Sequence, residues 1–122
     1  MNEQQLKAKS SNAMSSLLNL KDYVAPIDVF IEIGALSKSD YENWRHGKVS
    51  YLEQVIKMNL RKINLCIKEI NRNAVSKKLK PSKTVYNQWG KKKGIRLQFS
   101  KSGAKHLEEL YSTHYINGKS GR

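Results

Sequence analysis

Residues 36–72 read LSKSDYENWRHGKVSYLEQVIKMNLRKINLCIKEINR, and the punctuation of this stretch divides the chain into elements. Ser37 is a good helix N-cap, and Asp40 three residues later faces the free N–H groups of a first turn. Leu36 and Tyr41 take the two positions of a hydrophobic staple around that start. Tyr41 and Trp44 then share a face, and Gly47 stops the helix. The same signals recur at once: Ser50 and Glu53 in S-Y-L-E form a capping box, which predicts a long helix from Tyr51 to about Ser76. Leu52, Ile56, Leu60, Ile63, Ile67, Ile70 and Ala74 step along it by three or four and make one apolar face. Lys57, Arg61, Asn64, Lys68 and Arg72 step the same way on the far side, about 140° round at about 100° per residue.

Upstream, residues 1–13 (MNEQQLKAKSSNA) are polar with Leu6 as the one large apolar side chain, which predicts disorder. Leu17, Leu18, Leu20, Tyr23 and Val24 predict a turn or two of helix within 14–24. Pro26 suits the first position of a further helix, Ile27, Phe30, Ile31 and Ile33 give it near-helical spacing, and Gly34 can end it. The β-branched and aromatic density of VFIEI favours a strand instead, but Pro26 and Gly34 tip the reading to helix. Downstream, Lys80 before Pro81 ends the long helix. Thr84–Trp89 and Ile95–Ser100 read as two strands, the second alternating Ile95, Leu97 and Phe99 with polar residues. Gly90 to Gly94 turns between them, with Lys91, Lys92 and Lys93 at the tip. Ser102 opens a last helix with Leu107, Leu110 and Tyr111 inward, ending before Asn117-Gly118. The predicted fold is mainly α with a β-hairpin (α+β): a single domain over 14–116, between disordered segments at 1–13 and 117–122.

Charge is the strongest global fact. The 122 residues carry a net charge of +13, and its placement is uneven. Residues 1–50 balance six Lys/Arg against six Asp/Glu, whereas residues 51–103 hold fourteen Lys/Arg against two Glu. A block of that kind directs its field at a polyanion or an anionic membrane surface. No run approaches the roughly 18 apolar residues of a membrane span, and the N-terminus lacks a signal-peptide pattern. The lone Cys66 forms no internal disulfide and falls among the core positions, so a cytoplasmic protein with an inert thiol is expected.

Phe30 to Lys48 resembles the helix-turn-helix of bacterial and phage regulators: a helix ending at Gly34, a cap at Ser37, and Trp44-Arg45, Gly47 and Lys48 closing the second helix. The resemblance covers about 20 residues, and Gly34-Ala35-Leu36-Ser37 is one residue longer than the usual turn. It implies a second helix entering a major groove, with Lys38, Ser39, Glu42, Asn43, Arg45 and His46 exposed and Asn43 and Arg45 as the base readers. Asp40 and Glu42 count against this, because carboxylates near phosphates are repelled.

A basic stripe on an amphipathic helix is usually just a solvated face. Here Glu69 is the one acid after Glu53 to pair with it, and Lys83, the hairpin lysines Lys91, Lys92 and Lys93, Arg96 and Lys101 extend the block, which favours a binding role for the helix face and the hairpin together. Tyr86 and Trp89 among lysines suit stacking of unpaired bases, with Tyr86 expected to be exposed and Phe99 core. His46, His106 and His114 are scattered without metal-ligand spacing, and Asp28 with Glu32 lacks the surrounding cluster of a nuclease. The expectation is therefore a non-catalytic, cofactor-free DNA-binding protein acting in transcription, replication or recombination. Single-stranded DNA or RNA is the alternative partner, a small nuclease or a protein-binding adaptor the next. A homodimer or an acidic protein is a further possible partner, and no membrane is expected.

Overall fold

The computed structural model describes residues 2–90 and 94–118. Its order is α1 (Glu3–Leu20), β1 (Tyr23–Val24), α2 (Pro26–Glu32), α3 (Lys38–Arg45), a 3-10 turn (Leu52–Gln54), α4 (Leu60–Ser76), β2 (Lys80–Lys83), α5 (Lys105–Ser112) and β3 (Thr113–Ile116). The α+β class stands, with α-helices around a three-stranded antiparallel sheet in the order β1-β3-β2.

The segment expected to be disordered is most of α1. Its start is a reciprocal capping box: Asn2 Oδ1 accepts from the Gln5 N–H at 2.8 Å and Gln5 Oε1 from the Asn2 N–H at 3.0 Å. Leu6, Ser10, Ala13, Met14 and Leu17 form its buried face. Two of these are small, so the stripe carries little apolar signal, yet small residues let the helix approach α4 closely. Ser10 Oγ lies 3.1 Å from Cys66 Sγ, and the Ser11 hydroxyl donates to Asn73 Oδ1 at 2.9 Å. Glu3 meets Arg61 and Ser15 meets Lys77, so contacts rise together along both helices and the pair runs parallel.

The helical corner forms as read. Pro26 opens α2 at a position that needs no N–H, and Gly34 (φ +82°) closes it while the Ala35 and Leu36 N–H groups donate to the Phe30 carbonyl. Ser37 Oγ accepts from the Asp40 N–H at 3.0 Å, and Gly47 (φ +78°) ends the chain's exit from α3.

The long helix begins nine residues later than the capping box at Ser50 suggests. The N–H groups of Leu52 and Glu53 donate instead to the carbonyls of Gln98 and Phe99, and that of Lys57 donates to Ala35. The Glu53 carboxylate accepts from the Tyr111 hydroxyl at 2.5 Å and the Lys101 N–H at 3.0 Å. These distant partners take the groups a local cap would use. Asn59 caps α4 in its place, accepting from the Lys62 N–H at 2.9 Å. Ile63, Ile67, Ile70 and Ala74 are buried, but Leu60 is 56% exposed.

The C-terminal third also differs. The expected hairpin pairs only around the bridge Asn87–Arg96, flanked by Gln88 N–H to Ile95 O and Leu97 N–H to Tyr86 O, each 2.8 Å. Its tip at Lys91–Lys93 lies outside the described residues, as do residues 119–122 of the tail. The sheet is built from other segments: Lys80–Lys83 pairs with Thr113–Ile116, which pairs in turn with Tyr23–Val24. Pro81 is tolerated because β2 is an edge strand. At the end of α5 the Ser112 and Thr113 hydroxyls donate back to the carbonyls of Glu108 and Glu109, and residues 113–116 then leave the helix to pair with both neighbouring strands. Residue 117 is held by its N–H donating to the Asp22 carbonyl at 2.7 Å.

Aromatic rings knit these parts together. Trp44 is fully buried, its ring 4.9 Å from Phe99 and 5.9 Å from Tyr86, and its indole N–H donates to the Gln98 carbonyl at 2.9 Å. Phe99 stacks in turn on Tyr111 at 5.4 Å. No helix among the described residues is long and apolar enough to cross a membrane.

Candidate nucleic-acid interface

The apolar face of α4 packs inward, so the sequence sends its basic side chains outward. Arg61, Lys68 and Arg72 are exposed and fall within about 40° of one another around the axis, with half-buried Asn64 beside them. Lys57 is exposed but precedes the helix, so it is not part of this stripe. Arg61 pairs with Glu3 of α1 at 2.8 Å, and Arg72 forks onto the Glu69 carboxylate. Glu69 is only 5% exposed and also accepts from Asn73 Nδ2 at 2.9 Å. The Arg72 hydrogen bond, against the opposing effect of burial, holds its carboxyl below the usual range. The sole acid between residues 54 and 107 is thus turned inward. Lys68 has no carboxylate partner among the described residues. Lys77, Lys78, Lys80 and Lys83 continue the exposed charge, Lys83 lying 3.7 Å from Glu109. On the edge strand, Lys80, Pro81 and Lys83 also protect an unpaired backbone row from strand addition. Arg96, in the bridge to Asn87, and Lys101 beyond it are both exposed.

On α3, Lys38 and Ser39 are exposed and Asn43 is half-buried. Arg45 is placed differently from the groove-facing position that the helix-turn-helix resemblance implies. Its guanidinium carbon lies 5.0 Å from the Tyr86 ring centre and 4.7 Å from that of Trp89, while its carbonyl accepts from the Trp89 N–H at 2.6 Å. Tyr86, expected to be exposed, packs on Trp44 and Phe99 and hydrogen-bonds His114 Nε2 at 2.8 Å. Val85 and Trp89 point outward instead, 54% and 38% exposed. The two-residue alternation holds, with the opposite phase.

These turns enclose a cavity of about 280 Å³ lined by Tyr23, Asp28, Tyr41, Arg45, Tyr86 and His114, with Ala25, Ile27, Thr84 and Val85. Tyr23 stacks on His114 at 5.1 Å, and Asp28 accepts from Lys21 at 2.7 Å. Burial pushes the Tyr86 phenol up and the His114 imidazole down, Asp28 only partly opposing the latter. His114 is therefore neutral at pH 7. Asp28 answers Lys21 rather than joining Glu32 in a carboxylate pair. Sequence patterns miss this cluster because its members come from five separated segments, each holding one or two of them.

Among the described residues no three His, Cys, Asp or Glu side chains are grouped to hold a metal. Cys66 is buried against Ser10, and burial pushes its thiol up to about 11 despite that hydrogen bond. Comparison with protein-family models, curated proteins and solved structures found no match to this chain.

Proposed function

We propose that this chain is a non-catalytic DNA-binding protein that grips the duplex backbone with the outer face of α4 and the lysines that follow it. The observation that carries the reading is the run Arg61, Lys68, Arg72, Lys77, Lys78, Lys80 and Lys83, all exposed, with its one intervening acid buried. Arg61 to Arg72 spans about 16 Å at about 1.5 Å per residue. A duplex of that length carries about nine phosphate charges. Salt-dependent capture by this face is followed by limited contacts from Lys38, Ser39 and Asn43 on α3, phosphate contacts positioning the protein and base contacts adding preference. Arg45 is assigned no base, because its guanidinium is committed to aromatic faces and the cavity. Tyr86, which a single-strand reading would use for stacking, has its ring against Trp44 and Phe99, so the duplex is preferred.

The test is to titrate labelled duplex DNA, single-stranded DNA and RNA at two salt concentrations. The expected result is tight duplex binding at low salt, weakened strongly as salt rises. Binding of RNA or single strands in clear preference to duplex moves the reading to its alternative, and failure to bind all three sinks it.

A further inference from the structure

The cavity between α3 and the sheet is lined by none of the α4 cations, and the fold alone leaves it incomplete. Arg45 shows why. Its Nε is buried without a hydrogen-bond partner, and no carboxylate pairs with its guanidinium among the described residues. The Arg45 side chain is only half-buried, but this Nε is shut off from water, and contacts with the faces of Tyr86 and Trp89 give it no acceptor. An anion arriving in the cavity would complete it. The same lining offers the Asp28 carboxylate, an acceptor whose charge Lys21 already balances at 2.7 Å. Tyr23 and Tyr41 supply aromatic wall. An anionic group, a hydroxyl- or amine-bearing group and a flat ring are the three parts of a nucleotide.

We propose that this cavity binds a nucleoside monophosphate group, free or at the end of a nucleic-acid strand, with the phosphate on Arg45 and a sugar hydroxyl or exocyclic amine on Asp28. At about 280 Å³ the space falls just below the usual range of ligand sites, about 300–1,000 Å³, and suits one nucleotide better than a continuous strand.

The experiment follows tryptophan fluorescence, Trp89 being in contact with Arg45, while the whole chain is titrated with short oligonucleotides ending in a phosphate or in hydroxyls only. Nucleoside monophosphate and inorganic phosphate are titrated in parallel. In salt high enough to suppress the α4 face, the phosphorylated end should bind at least about tenfold tighter than its hydroxyl twin. Arg45→Gln should abolish that difference while leaving low-salt binding of hydroxyl-ended duplex intact. Tightening by the oligonucleotide end alone assigns the site to strand ends, and equal binding of the mononucleotide assigns it to a free nucleotide; both support the proposal. Equal affinity of phosphorylated and hydroxyl ends, with no binding of the mononucleotide, overturns it, whether or not Arg45→Gln folds. Inorganic phosphate binding as tightly as the mononucleotide would remove the nucleoside part and overturn it as stated. Loss of duplex binding at low salt would instead count against the α4 reading, so the two failures are distinguishable.

Discussion

Arg45, His114 and Cys66 show how much of a residue's chemistry is set by what surrounds it. His114 is held neutral by burial, its imidazole pushed below the ordinary value of 6.5. The unfolded chain therefore binds the proton more readily than the folded one. The stability that His114 contributes is fully present above pH 6.5 and is lost as pH falls from there toward the lowered folded value. Urea midpoints should drop between pH 7.5 and 5.5, and His114→Gln should remove that part of the drop. Cys66 behaves oppositely in charge but for the same cause. With its thiol raised to about 11, it should react with a thiol reagent at pH 8 only when the protein unfolds, and addition of denaturant should release a fast reaction. Fast labelling of the native protein would contradict its place between α1 and α4.

At the scale of elements, α1 is the part whose role is most exposed to mutation. Leu6 is 1% exposed, so Leu6→Ala should cost about 2–5 kcal/mol and lower the thermal midpoint clearly. A segment without structure would show no change. Ser37→Ala should cost about 1 kcal/mol through the lost cap on α3. Short-range signals were legible where their partners are local: Pro26, Gly34, Ser37 and Gly47 each do what their neighbours in sequence require. They failed where distant groups outbid them. Ser50 and Glu53 have the form of a capping box, yet Glu53 serves Tyr111 and Lys101, and the strand-like 98–99 segment takes the N–H groups. β2 and β3 were illegible for a related reason, since KPSK has no apolar alternation and pairs only because Thr113–Ile116 lies beside it. Of the candidate site, the exposed face of α4 followed from periodicity. The cavity around Arg45 did not, because no spacing links Tyr23, Asp28, Arg45 and His114.

For the whole molecule, the account turns on charge. The fold leaves an excess of cations over the outer face of α4 and the segment after it, where the one acid is buried and answers only Arg72, a distribution that is tolerated most easily when a polyanion shares it. Charge reversal at two exposed sites of that face, Lys68→Glu with Lys80→Glu, should weaken duplex binding strongly without lowering the thermal midpoint much. Asp28→Ala should leave duplex binding nearly unchanged. The most direct test is the salt dependence of duplex affinity, measured by fluorescence anisotropy for the native chain and that double variant. Contacts to about five phosphates predict a slope of log K against log salt of about −4 to −5, shallower by about 2 in the variant. A duplex that does not bind at low salt, or a slope that the two substitutions leave unchanged, would contradict the claim that α4 and its following lysines are the binding face.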